Sequence, residues 1–156
     1  MRTSDFSVQH EEFRKEMEIK IIKNYSDYGV NAEKIVQRII KYAPHSCIEG
    51  LKEIYLLDKD PENKGFARYF KGERRIALYL EDIVGWQPWF LKKSFVFPYL
   101  TIGMALGHEI DHHVNRDNRM INREKSAEKN ALRYVYPSMG FFKPIVRLIT
   151  FFSGKN

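Results

Sequence analysis

Cysteine is nearly absent. One residue, Cys47, stands in 156. That excludes an internal disulfide and any zinc cluster built on thiolates, so a metal here must be held by histidine and carboxylate. Such cysteine usage suits a reducing compartment, and a cytoplasmic location is expected. Long apolar runs are also missing. The most apolar stretch, SFVFPYLTIGMALG from Ser94 to Gly107, is too short to span a bilayer as a helix and contains Pro98. It reads as a buried helix. The first residues, MRTSDFSVQHEEFRKEMEIK, are charged throughout and lack the apolar core of a signal peptide. No internal repeat and no low-complexity tract occurs.

What remains has an ordinary globular balance, 44% hydrophobic and 29% charged. It predicts a single domain over 1–156 able to bury its own core without staples. The net charge of +6 would suit nucleic acid, anionic lipid or acidic peptides. It equally suits a solvated lysine-rich surface, and no strong nucleic-acid signal accompanies it.

Periodicity predicts the elements. Ser7 to Tyr25 carries Phe13, Met17 and Ile21 at helical spacing and reads as an amphipathic helix. YGVNAEKIVQRIIKYAPHS gives a second helix, capped by Asn31, striped by Ile35, Ile39 and Ile40, and stopped by Pro44. LKEIYLL is a strand candidate, and FARYF and RIALYL flank KGER in a hairpin pattern. DIVGWQPWFLKK is irregular, with Gly85 and Pro88 blocking a long helix. Ser94 to about Val114 is helical again. NRDNRMIN breaks it, and a last helix starts at NREKSAEKNALRYVY, with Asn122 as N-cap and Pro137 and Gly140 as its end. Helices on one side of a small, mostly antiparallel sheet of about three strands make an α+β domain.

The helix from Ser94 carries GHEIDHH, in which His108, Glu109 and His112 form H-E-x-x-H. Residues four apart lie about 40° from each other around a helix, so the two imidazoles share a face and can grip one ion. Glu109 sits about 100° from His108, at the edge of that face, where it can act as general base toward a water without ligating the metal. His113 points elsewhere. The alternative is a helix whose polar face simply carries histidines. Gly103 and Gly107 argue for more: both lower helix propensity and make sense where another backbone or a substrate comes close. A catalytic zinc takes three protein ligands and keeps one position open. Glu124 and Glu128, four apart on the next helix, offer the third ligand and a hydrogen bond to a ligand histidine. With Arg123, Lys125 and Lys129 beside them, they also fit a solvated charged face.

These two segments resemble the zincin metallopeptidases, specifically the glutamate-zincins. Several branches of that group place the third ligand in a helix patterned E-x-x-A-D or E-x-E-A-N. EKSAE (Glu124 to Glu128) matches the first glutamate and the alanine, Ala127, and departs at Glu128, where Asp or Asn is usual. The chain is similar to antirepressor-cleaving metallopeptidases in Ala131, Pro137 and the glycine-led hairpin KGFARYFKGERRIALYL. It also resembles the catalytic helices of integral-membrane proteases that cut prenylated proteins, and it is nearest in size to minimal soluble glutamate-zincins. The resemblance covers about Gly65 to Pro137, and only the two helix motifs are specific. It implies a zincin-like fold and one Zn²⁺ held by His108, His112 and Glu124, with Glu128 behind the ligands. It implies a peptide or protein substrate laid as an extra strand along a sheet edge, for which Arg75 to Leu80 is the expected strand. Glu109 would take a proton from the attacking water and pass it to the leaving amine. Tyr134, Tyr136 and His113 are candidate oxyanion donors.

The tail FFKPIVRLITFFSGKN, residues 141–156, admits three roles: a core-closing helix, a plug over the cleft that makes the peptidase latent, or a weak membrane-surface anchor, since Lys143, Arg147 and Lys155 punctuate its apolar residues. Two readings compete with a peptidase. One is a nucleic-acid-associated or regulatory module with structural zinc; the other is an inactive zincin scaffold.

Overall fold

A computed structural model describes residues 19–63, 65–116 and 123–144. The first described element is a strand, β1 (Lys20–Asn24). Then follow α1 (Ala32–Tyr42), α2 (His45–Ile48), β2 (Glu53–Leu57), β3 (Ala67–Phe70) and β4 (Arg75–Tyr79). A π-helical turn (Glu81–Gly85) and a short helix, α3 (Trp89–Lys93), lead into the long α4 (Val96–Val114). Helix α5 (Arg123–Val135) and a 3-10 turn (Tyr136–Phe142) close the order. The architecture is α+β.

The sheet differs from the expected one. It has four strands in the order β1-β2-β4-β3, with β1 parallel to β2, β2 parallel to β4, and only the β3–β4 hairpin antiparallel. It is mixed, not mostly antiparallel. The fourth strand comes from Lys20–Asn24, inside the stretch expected to be helical through Tyr25. There Ile21 and Ile22 are β-branched, and pairing with β2 wins over the helical spacing that ends at Ile21. The rest of that expected helix lies outside the described residues. So do Asn122 and the tail from residue 145 onward.

Other elements form for legible reasons. Asn31 accepts the Lys34 backbone N–H at 2.9 Å, which caps α1. Ile35, Val36 and Ile39 turn inward from that helix, and Pro44 follows its end. The β3–β4 turn places Arg74 at φ 53°, a left-handed position that a non-glycine residue rarely takes. Ile54 and Leu56 of β2 and Ile76 and Leu78 of β4 join the α1 stripe and Ile102, Leu106 and Ile110 of α4 in one core. Each such buried side chain is worth about 1.5–3 kcal/mol. Strand β4 is interior, and Ile76, Ala77, Leu78 and Tyr79 are all buried. The strand expected at the substrate edge, Arg75 to Leu80, is therefore not an edge. That position belongs to β3.

Candidate metal centre

Helix α4 is fixed by its apolar side, and its other face carries Thr101, Met104, Ala105, His108 and His112 along a cleft of about 850 Å³. Another wall is formed by Phe66 and, from strand β3, by Ala67, Arg68 and Tyr69. The third wall is α5, with Glu124, Glu128 and Ala131.

At the centre of the cleft, His108 Nε2 and His112 Nε2 lie 3.1 Å apart. The Glu124 carboxylate closes over both, with Oε2 at 3.2 Å from His108 Nε2 and Oε1 at 3.4 Å from His112 Nε2. Two imidazole lone pairs and a carboxylate facing one point repel unless a cation or a proton sits among them. Ligand atoms about 2.0–2.1 Å from a tetrahedral zinc lie about 3.3 Å from one another, so this donor set fits such an ion. Ligand atoms of His108, Glu109 and His112 also lie within 4.8 Å of one another, a possible metal-binding group. Glu128 is exposed and lines the same cleft, while the carboxylate that meets the imidazoles is that of Glu124.

Glu109 behaves differently from Glu124. It is only 6% exposed, whereas the Glu124 side chain is 76% exposed. Burial pushes the Glu109 carboxyl up to about 7. The Tyr69 backbone N–H that bonds to it and the Arg68 charge pull the other way, and the Glu124 charge adds to the rise. A carboxyl poised near neutrality, on the edge of the histidine face and bonded to the Tyr69 backbone of β3, is suited to exchanging a proton.

The approach of α5 to α4 is set by backbone. A Cβ at Gly107 would collide with the Ala131 carbonyl, and one at Gly103 would come 2.8 Å from Val135 Cγ1. These glycines thus admit a neighbouring helix. Beside them lies a polar clamp that the sequence did not reveal. Asp111 is 2% exposed. Its Oδ1 accepts from Tyr134 Oη at 2.7 Å and from Asn130 Nδ2 at 3.1 Å, and its Oδ2 accepts from Asn115 Nδ2 at 3.0 Å. A buried carboxylate is costly unless so bonded. Here it ties α4 to the helix that brings Glu124.

That clamp corrects one expectation. Tyr134 donates to Asp111 inside the protein and does not face the cleft as an oxyanion donor. His113 is corrected likewise: it is 1% exposed, with Nδ1 at 2.9 Å from Tyr69 Oη and Nε2 at 2.9 Å from the Glu49 carbonyl. Burial lowers its pKa, as suits a neutral ring in the core. Tyr136 packs against the hydrophobic core and is not among the residues lining the cleft. The cleft-lining Phe66, Trp86 and Met104 were also missed, because exposed apolar residues carry no period that marks a cleft.

No family model, curated protein or solved structure matches this chain. The function of the site is therefore read from its own side chains.

Proposed function

We propose that this chain is a zinc-dependent metallopeptidase, with His108, His112 and Glu124 as the ligands. The observation that carries this reading is the convergence of two imidazole nitrogens and one carboxylate, all within 3.1–3.4 Å, beside the buried carboxyl of Glu109. A divalent cation held there would supply Lewis acidity toward a carbonyl and toward water.

The protein's own groups perform the rest. Glu109 accepts the proton of the attacking water at its carboxylate and returns it to the departing amine, a role that its pKa near 7 supports. The extended substrate lies along β3, an outer strand of the four-stranded sheet that lines the cleft with Ala67, Arg68 and Tyr69. Phe66, Trp86 and Met104 give the cleft apolar wall for substrate side chains. The zincin-like character of the fold and the peptide substrate belong to this proposal, as does the identity of the ion.

The test is metal content beside cleavage. About one zinc per chain is expected in the purified protein, lost or much weakened in His108→Ala and Glu124→Ala. Glu109→Gln should keep the metal and abolish peptide cleavage. No metal after reconstitution would refute the reading. Cleavage surviving in Glu109→Gln would refute the role of Glu109.

A further inference from the structure

Both tryptophans of the chain fall in one exposed stretch. Trp86 and Trp89 are each 69% exposed and Phe90 is 57% exposed. Helix α3, which holds two of them, buries none of its residues. Phe95 and Phe97 follow and are exposed as well. An aromatic side chain has roughly 150–250 Å² to bury. Five of them in twelve residues leave far more apolar surface to water than scattered single side chains would.

The stretch is not loose. Gln87 is buried, and its amide donates to the Ile83 carbonyl at 3.2 Å and to Thr101 Oγ1 at 3.1 Å. Lys92 Nζ donates to the Gly85 carbonyl at 3.0 Å, and Ser94 Oγ to the Leu91 carbonyl at 2.9 Å. The aromatics are held outward on a braced support.

Charge identifies what they meet. From Trp86 to Gly107 the sequence has no acidic residue, and its only charged residues are Lys92 and Lys93. Lys93 Nζ lies 4.9 Å from the Trp89 ring centre. Tryptophan next to lysine is the composition of membrane–water interfaces, with the ring at headgroup depth and the ammonium among lipid phosphates. The core of a protein–protein interface takes aromatics but is depleted in lysine.

We propose that the Trp86–Phe97 stretch docks on the anionic surface of a lipid bilayer. No helix among the described residues is long and apolar enough to cross a membrane, so the contact is interfacial. Because Trp86 also lines the cleft, docking sets the cleft mouth against the lipid. This contact stands whether or not the cleft cleaves peptides.

Trp86 and Trp89 report the contact directly. The full-length chain is mixed with phosphatidylcholine vesicles, with or without phosphatidylglycerol, and read by tryptophan emission and co-sedimentation. Acrylamide should quench the free protein. Anionic vesicles should shift emission to the blue and sediment the chain, and neutral ones much less. Lys93→Glu should weaken vesicle binding about tenfold or more. Trp89→Ser with Phe90→Ser should weaken it similarly, with circular dichroism unchanged in both. Three results overturn the proposal. One is no shift and no sedimentation. Another is indoles already shielded in the free protein, which means that the chain or a second copy covers the patch. The third is binding undiminished in both variants, which assigns it to another segment.

Discussion

The backbone of Gly107 lies so close to the Ala131 carbonyl that no side chain fits between α4 and α5. In an isolated helix, Gly→Ala stabilises by about 1 kcal/mol. Here the added methyl meets backbone, which cannot rotate away, and overpacking of this kind costs about 1–3 kcal/mol. Contact therefore outweighs propensity. Gly107→Ala is expected to lower the unfolding midpoint and, by pushing α5 outward, to weaken metal binding. Calorimetry of the variant with and without zinc checks both. A variant more stable than the wild type would show that the helices separate freely.

Asp111 and Tyr134 should act on the site without touching it. Tyr134→Phe removes one of three donors from a buried carboxylate, at an expected cost of about 1–3 kcal/mol. As Asp111 positions α5, metal affinity should fall about tenfold as well. Isothermal titration with zinc and a urea melt separate the two effects. Lost stability with unchanged affinity would make the clamp structural alone.

The sequence showed what depends on neighbours along the chain and missed what depends on pairing. Asn31 and Pro44 bracket α1 because capping and chain-breaking are local. H-E-x-x-H was readable because one turn of helix fixes the relation of His108 to His112. Glu124 was preferred over Glu128 because Ala127, Ala131 and Pro137 keep register with it in the resembled helix pattern, and Ala131 lies against Gly107 of α4. Strand order was not readable. Nothing within RIALYL says that it lies between β2 and β3, and nothing within KIIKN says that it pairs with a strand some thirty residues on. Tyr134 and His113 were misassigned for a similar reason. Helical spacing gives angles between residues but not which angle faces the cleft.

Glu124 and Glu128 should separate cleanly as metal ligands. Only Glu124 places its carboxylate at 3.2 and 3.4 Å from the imidazoles. Its side chain is mostly exposed, so its replacement should leave the fold intact. Glu124→Ala is expected to lower zinc affinity at least about a hundredfold with little change in urea midpoint of the metal-free protein, and Glu128→Ala no more than about tenfold. Competition with a chromogenic chelator measures both. Equal losses in the two variants would mean that the carboxylates share the ion.

Metal-free protein should lose stability as pH rises because of Glu109. Its carboxyl titrates near 7 in the folded chain against an ordinary 4.5, so folding favours the protonated form. Below the unfolded value both states hold the proton and nothing is lost. Between the two values the unfolded chain ionises first, and stability falls until the folded carboxyl ionises too. A shift of this size corresponds to about 3 kcal/mol. Glu109→Gln has no such charge to bury. After chelator treatment, its stability relative to wild type should start small near pH 4 and rise by about 3 kcal/mol by pH 8. Urea melts across that range measure the difference. A cation two-plus in charge beside the carboxylate favours ionisation, so zinc should flatten the wild-type dependence. A pH-independent difference between the metal-free proteins would mean that Glu109 ionises as freely in the folded chain as in water.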